Sequence, residues 1–190
     1  PAVAETCEFL KREGFEITYI PVDEDGLVNP ADVEKAIRPD TIIVSIMMAN
    51  NEIGTIQPIK EIAEICKKHK VLMHTDAVQA AGNIRINVQE LGVDLLSISG
   101  HKFYGPKGTG VLYIRKGVRL ENLIHGGHQE RNKRAGTENV PGIVGLAKAL
   151  ELATINLDAH YEKLYNLRER ALKGIMERIP HVRLNGHREK

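Results

Sequence analysis

"SISGHKFYGPKGTG", residues 97–110, runs an apolar strand pattern straight into four glycines, a proline, a histidine and two lysines. The strand pattern starts at Val93, in "VDLLSIS" (93–99), and "GVLYIR" (110–115) resumes it after the loop. Gly100 lets the backbone turn sharply, and Gly105, Gly108 and Gly110 keep the loop free of side chains. Lys102 thus follows a Ser-Gly-His turn at a strand end. Most lysines are solvated, but one hemmed by glycine and aromatic residues at the end of a buried strand is expected to be partly desolvated. Desolvation lowers a lysine's pKa and suits it to Schiff-base chemistry. Ser99 and His101 beside it can donate to an anion, while Lys107 reads as a solvated loop charge.

Working outward, strand and helix patterns alternate. "PAVAETCEFLKREG" (1–14) is helical, with Val3, Cys7 and Leu10 on one face. "FEITYIPV" (15–22) alternates like a strand. "VNPADVEKAI" (28–37) is a short helix with Asn29 as its cap and Pro30 in its first turn. "TIIVSIMM" (41–48) is a continuous apolar run that reads as a central strand covered on both sides. "PIKEIAEICKKHK" (58–70) is helical, with Ile59, Ile62, Ala63 and Cys66 on one face. "VLMHTDA" (71–77) is another central strand. From about 140 to 179 the pattern is helical with a break near 156–158. Ile143, Leu146, Ala147, Leu150 and Ala153 form one stripe, and Tyr161, Leu164, Ala171, Ile175 and Ile179 another. Strands separated by helices predict a three-layer α/β/α fold around a mainly parallel, mixed sheet.

Composition narrows the function classes. The chain has 190 residues, 42% hydrophobic and 27% charged, with a formal net charge of +1. That balance argues against a nucleic-acid or membrane-surface partner. Two cysteines without a CxxC argue against a disulfide framework, and no apolar run approaches the roughly 20 residues of a membrane span. No signal peptide pattern opens the sequence, so a cytoplasmic location, or an organelle matrix, is expected. The first segment reads as a helix in progress and "HVRLNGHREK" (181–190) opens like a strand and stops. Both ends therefore suggest a fragment.

Polar residues gather where strands end, which is where open α/β sheets bind ligands. "MMANNEIGT" (47–55) places Asn50, Asn51 and Glu52 after one strand, and a local Asx turn explains it equally well. "HTDAVQAAG" (74–82) places His74, Asp76 and Gln79 after the next. No further ligand set completes a metal site, and His74 reads as a satisfied core histidine. Asp76 is either a helix cap or a carboxylate aimed at a cationic ring nitrogen. Asp76 and Lys102 lie one strand–crossover–strand unit apart, so both reach one pocket. A lysine anchor with an acidic partner for a pyridinium nitrogen is the pattern of pyridoxal phosphate chemistry. "GGHQERNKRAGTENVPG" (126–142) adds Arg131, Arg134 and Thr137 ahead of a helix. That is either a phosphate site or a mobile basic loop in which Thr137 or Asn139 only caps.

"MMANNEIGTIQPI", "HTDAVQAAG", "SISGHKFYGPKGTGVLYIR" and "GGHQERNKRAGTENVPGIVGLAKAL" together closely resemble cysteine desulfurases, members of the class V aminotransferases with the fold-type-I architecture. The resemblance implies that residues 1–180 are the pyridoxal phosphate-binding large domain and that 181–190 begin a small C-terminal domain. It implies Lys102 as the covalent anchor of the cofactor and Asp76 as partner of the ring nitrogen. It makes Gln79 the donor to the phenolic oxygen, and Ser99 and His101 ligands of the phosphate. Asn51 would sit near the phenolic oxygen and the substrate carboxylate. Thr137 would reach the phosphate of the other subunit's cofactor, which implies a homodimer with shared active sites. L-cysteine is the implied substrate, with alanine and an enzyme persulfide as products. A sulfur acceptor or iron–sulfur scaffold protein is the implied partner.

The persulfide cysteine of such enzymes, and the arginine for the substrate carboxylate, would fall beyond residue 190. The ring-stacking histidine and a Gly-Thr phosphate loop would fall before Pro1. Cys7 and Cys66 read as packing thiols, so the chain alone is expected to show no turnover. Selenocysteine lyase or another class V lyase or aminotransferase is the close alternative, and a non-catalytic truncated domain is a further one. A nicotinamide enzyme is disfavoured because no GxGxxG joins a strand to a helix. A metal hydrolase on His74, Asp76 and His101 ranks low.

Overall fold

The computed structural model describes residues 2–189. The sheet has four strands: β1 (Ile43–Met47), β2 (Leu72–Asp76), β3 (Leu95–Ser99) and β4 (Gly110–Ile114). Their order is β1-β2-β3-β4. The first three are parallel and β4 is antiparallel to β3, so the sheet is mixed and mainly parallel, as predicted. Helices α1 (Ala2–Arg12), α2 (Pro30–Ala36), α3 (Ile59–His69) and α4 (Val88–Leu91) precede β3. After β4 come the one-turn segment α5 (Gln129–Asn132), then α6 (Val140–Ile155) and α7 (Leu157–Arg178).

Local signals explain most boundaries. Asn29 accepts from the Ala31 N–H and caps α2, whose first residue is Pro30. The predicted face of α3 is the buried one: Ile59, Ile62, Ala63 and Cys66 join Met73 of β2, Leu96 of β3 and Val93 just before β3 in one core cluster. Lys70 then takes a left-handed conformation that ends α3. A smaller cluster joins Ala81, Phe103 and Leu146, with Ile98, Ala149, Leu150 and Ala153 against it, and seats α6 on the loop after β3.

Asp94 fastens the amino end of β3. Its carboxylate accepts from the Met73 N–H at 2.8 Å. The Arg115 guanidinium lies against its other oxygen as an ion pair without hydrogen-bond alignment. Asp94 also exchanges backbone bonds with Met73 and Arg115, so one buried residue ties β2, β3 and the end of β4 together.

Several expectations are corrected. Phe15–Val22 forms no strand; only Val22 bridges to Val28, and Phe15 and Tyr19 are exposed. Alternation shows that a segment can pair, but a strand exists only where a neighbour supplies hydrogen bonds. β1 stands at the sheet edge rather than the centre, with Ile42 64% and Ile43 41% exposed. An apolar run reports a tendency to burial, not a position in the strand order. On α6 the packed stripe runs through Leu146, Ala149, Leu150 and Ala153, while Ile143 and Ala147 are exposed. The α7 stripe is exposed throughout, and only Leu157 of that helix is buried. Residues 181–189, which start like a strand, are irregular. Among the described residues no single helix is long and apolar enough to cross a membrane; α6 and α7 reach that length only together, bent by 67°.

Candidate active site

The parallel pairing brings three strand ends to one edge. Met47 pairs with Asp76, and Asp76 with Ser97, so the carboxyl ends of β1, β2 and β3 lie side by side. The loops that carry Asn51, Gln79 and Lys102 leave from that edge. On one face β2 and β3 go from apolar to polar toward it, Leu72 to His74 and Asp76 and Leu95 to Ser97 and Ser99, while β1 presents Ile43, Ser45 and Met47 there.

Asp76 is half-buried as the last residue of β2. Its Oδ1 accepts from the Val78 N–H at 2.9 Å, which fixes the carboxylate in the turn. Among the described residues its Oδ2 has no hydrogen-bond partner, so it can accept from a ligand. One turn of chain from Ala77 to Ala81 then presents Gln79. Gln79 and Asn51 line the same open cavity of about 270 Å³, together with Asn50 and Asn83. The neighbouring Asn50 is spent on the backbone: its Oδ1 accepts from the N–H groups of Glu52 and Ile53. The Asx-turn explanation therefore holds for Asn50 and leaves Asn51 exposed and available.

Ser99 ends β3, and a 3-10 turn (Gly100–Phe103) follows at once. Ser99 Oγ and His101 Nδ1 are 2.8 Å apart, which makes a hydroxyl–imidazole pair on the exit of the strand. The turn is closed by the Gly105 N–H donating to the Gly100 carbonyl at 2.8 Å. A side chain at 105 would meet that same carbonyl at 2.8 Å, so the closure requires glycine. Phe103 is buried against α6 and pins the turn.

Lys102 projects from this turn, is exposed, and makes no ion pair among the described residues. The expected desolvation is therefore not what the structure has. Lys102 sits on the outward side of a turn beyond the strand, while the inward side goes to Phe103. Thr137 stands apart. It is exposed in the loop before α6, with no hydrogen bond to the other candidates. Asn139, not Thr137, caps α6 by accepting from the Gly142 N–H. Arg134 donates to the Ala135 carbonyl, and Glu130, Arg131 and Asn132 all take positive φ.

His74 is satisfied, as expected for a core histidine, yet its partners were not foreseen. Its Nδ1 is 2.7 Å from Ser45 Oγ on β1 and its Nε2 is 2.9 Å from Ser97 Oγ on β3. Burial pushes its pKa below the ordinary histidine value, with Asp76 pulling the other way. The available signal was two serines inside apolar strands. Among the described residues no group of three or more His, Cys, Asp or Glu is arranged to hold a metal ion. Cys66 is 1% exposed, donates to Met73 Sδ, and has its thiol pushed up to about 11 by burial. Cys7 is half-exposed on α1, a helix that buries no residue, so it is not the packing thiol that its sequence suggests.

These groups suit a cationic ring nitrogen, a phenolic oxygen, an anion and an aldehyde: an open carboxylate oxygen, an amide, a hydroxyl–imidazole pair and a primary amine. That is the donor set pyridoxal phosphate needs.

Comparison with known proteins agrees. The family model "Aminotransferase class-V" matches residues 1–190. The chain is 58% identical over 188 residues to cysteine desulfurase IscS of Clostridium botulinum, covering 99% of this chain and 47% of that protein. A solved NifS-like protein superposes with a TM-score of 0.89 at 49% identity, over 93% of this chain and 49% of the other. A structure of SspA in complex with cysteine gives 0.77 at 46% identity, over 78% and 44%. The chain thus spans about half the length of the relatives it matches.

Proposed function

This chain belongs to the class V aminotransferases, and on that premise we propose that it is the cofactor-binding part of a cysteine desulfurase. The cofactor is pyridoxal phosphate, which when bound supplies an electron sink for the substrate's Cα. The observation that carries the reading is the meeting of Asp76, the Ser99–His101 pair and the Lys102 turn at one edge of three parallel strands.

Each residue then has a task in this reading. Asp76 Oδ2 accepts from the protonated ring nitrogen and keeps it cationic. Gln79 donates to the phenolic oxygen from the turn after β2. Ser99 and His101 hold the phosphate, and their mutual hydrogen bond sets the direction of both groups. Lys102 Nζ would hold the aldehyde carbon and, when free, could take up the substrate's Cα proton. Asn51, beside Gln79 on the cavity wall, orients the substrate carboxylate. Thr137 reaches a second subunit's phosphate, which makes the working unit a homodimer. Residues 1–180 are then the large domain and 181–190 the start of another.

L-cysteine is the substrate, by likeness to relatives named for that activity and to SspA, solved with cysteine. Its sulfur must pass to a thiolate nucleophile. Cys66 cannot serve, being buried and held as a thiol, and Cys7 lies on a helix remote in sequence from the strand ends. The sulfur-accepting cysteine is therefore neither of these, and the chain alone forms no persulfide. A soluble scaffold or carrier protein receives the sulfur in the complete enzyme, in the cytoplasm.

The test is to mix the chain with pyridoxal phosphate, record the absorbance, reduce with borohydride and map the modified peptide. A saturable visible band with the adduct on Lys102, lost in Lys102→Ala, is expected. A label spread over surface lysines, unaffected by that substitution, would refute the reading.

A further inference from the structure

The face of the sheet that presents Asp76 also presents His74, two residues earlier on β2. Ser45 of β1 and Ser97 of β3 flank it, and the hydrogen bonds run Ser45 Oγ–His74 Nδ1 (2.7 Å) and His74 Nε2–Ser97 Oγ (2.9 Å). Ser97 is in turn the register partner of Asp76. One row of side chains therefore crosses the three strands just behind the groups assigned to the cofactor.

The chemistry of this row is specific. A serine hydroxyl both donates and accepts, so the two serines satisfy an uncharged imidazole whichever nitrogen bears the proton. No carboxylate bonds the ring: the Asp76 Oδ1 bond goes to the Val78 N–H instead. A half-buried imidazolium here would lose part of its hydration without a hydrogen-bonded carboxylate to offset that loss.

We propose that His74 is a positioning residue for Asp76: the Ser45–His74–Ser97 row keeps an uncharged imidazole beside that carboxylate, so its negative charge is reserved for the cofactor's ring nitrogen. The inference rests on the assignment of Asp76 made above. It explains why a histidine stands where a packed aliphatic side chain would satisfy the sheet. The imidazole fills the space, bridges β1 to β3, and brings no cation to compete with the ligand.

The experiment compares the unsubstituted chain with His74→Gln and His74→Lys. Glutamine keeps a donor and an acceptor for the two serines without charge; lysine puts a cation next to Asp76. Pyridoxal phosphate is titrated while the visible band is recorded. The glutamine variant should bind within about threefold of the unsubstituted chain with an unmoved band. The lysine variant should bind at least about tenfold more weakly, with the band moved toward the form whose ring nitrogen has lost its proton. A lysine variant with unmoved band, or a glutamine variant as impaired as the lysine one, would show that His74 only packs.

Should the lysine variant not fold, a long-range proton–nitrogen NMR spectrum of the unsubstituted chain without cofactor decides. One protonated and one bare ring nitrogen at neutral pH supports the proposal; a doubly protonated ring overturns it. Absence of binding by the unsubstituted chain overturns the Asp76 assignment first, and this inference with it. A defect confined to the variants concerns His74 alone.

Discussion

His74 makes the fold sensitive to acid. Its pKa is lowered in the folded state, mainly by burial. In the unfolded chain it titrates near 6.5, so below that pH the unfolded state takes up a proton the folded state resists. Stability is therefore full above about 6.5 and is lost as pH falls from there through the lowered folded value. Urea midpoints at about pH 7.5 and about pH 5.5 should differ more for the unsubstituted chain than for His74→Gln, which carries no titrating group. Equal losses in both would place the acid sensitivity elsewhere. At this scale the sequence named candidate residues but was a poor guide to their surroundings. Asp76, Ser99, His101 and Lys102 stood out because they fall at the strand ends, where open α/β sheets bind ligands. The exposure of Lys102 and the serine partners of His74 were not visible, because both depend on the neighbouring strands and the direction of a turn.

Two elements lend themselves to direct tests. The 3-10 turn that carries Lys102 closes only because Gly105 has no side chain to strike the Gly100 carbonyl. Gly105→Ala should leave the far-ultraviolet circular dichroism near that of the parent while reducing the borohydride-trapped adduct on Lys102 by about tenfold or more. A normal adduct yield would show that the turn adjusts freely. The clamp at the other end of the strands involves Asp94. Asp94→Ala leaves the buried Met73 N–H without its acceptor and Arg115 without its counter-ion, a loss of about 2–3 kcal/mol. Chemical denaturation would read this as a lower midpoint with unchanged slope. A change under about 0.5 kcal/mol would mean the strands hold without it. Element types were legible because each period and cap is local: Asn29 and Pro30 start α2, and one apolar face defines α3. The missing strand at Phe15–Val22 was not, since pairing is non-local.

For the molecule as a whole, apolar exposure is the dominant feature outside the sheet. Val140, Val144, Leu152 and Ile155 of α6 are each more than half exposed, and the outer side chains of α7 add to them. Exposed apolar side chains in this number favour association, in line with the proposed homodimer. Sedimentation equilibrium should show a concentration-dependent rise in mass, and Val144→Glu with Leu152→Glu should lower it without loss of helix signal. A monomer at all concentrations in the unsubstituted chain would contradict the expectation.

The amino-acid sequence by itself determined the class of fold, the alternation of strands and helices, and the chemical identity of the groups at the strand ends. These follow from periodicity, turn-forming residues and side-chain chemistry, all of which are written over a few neighbouring residues. Only the tertiary structure decided that β1 stands at an edge, that Asn51 and Gln79 share one cavity wall, and that Lys102 points outward. It alone joined Ser45, His74 and Ser97. Those relations join residues from different strands and loops, and strand order and register, which no local pattern encodes, set which of them meet.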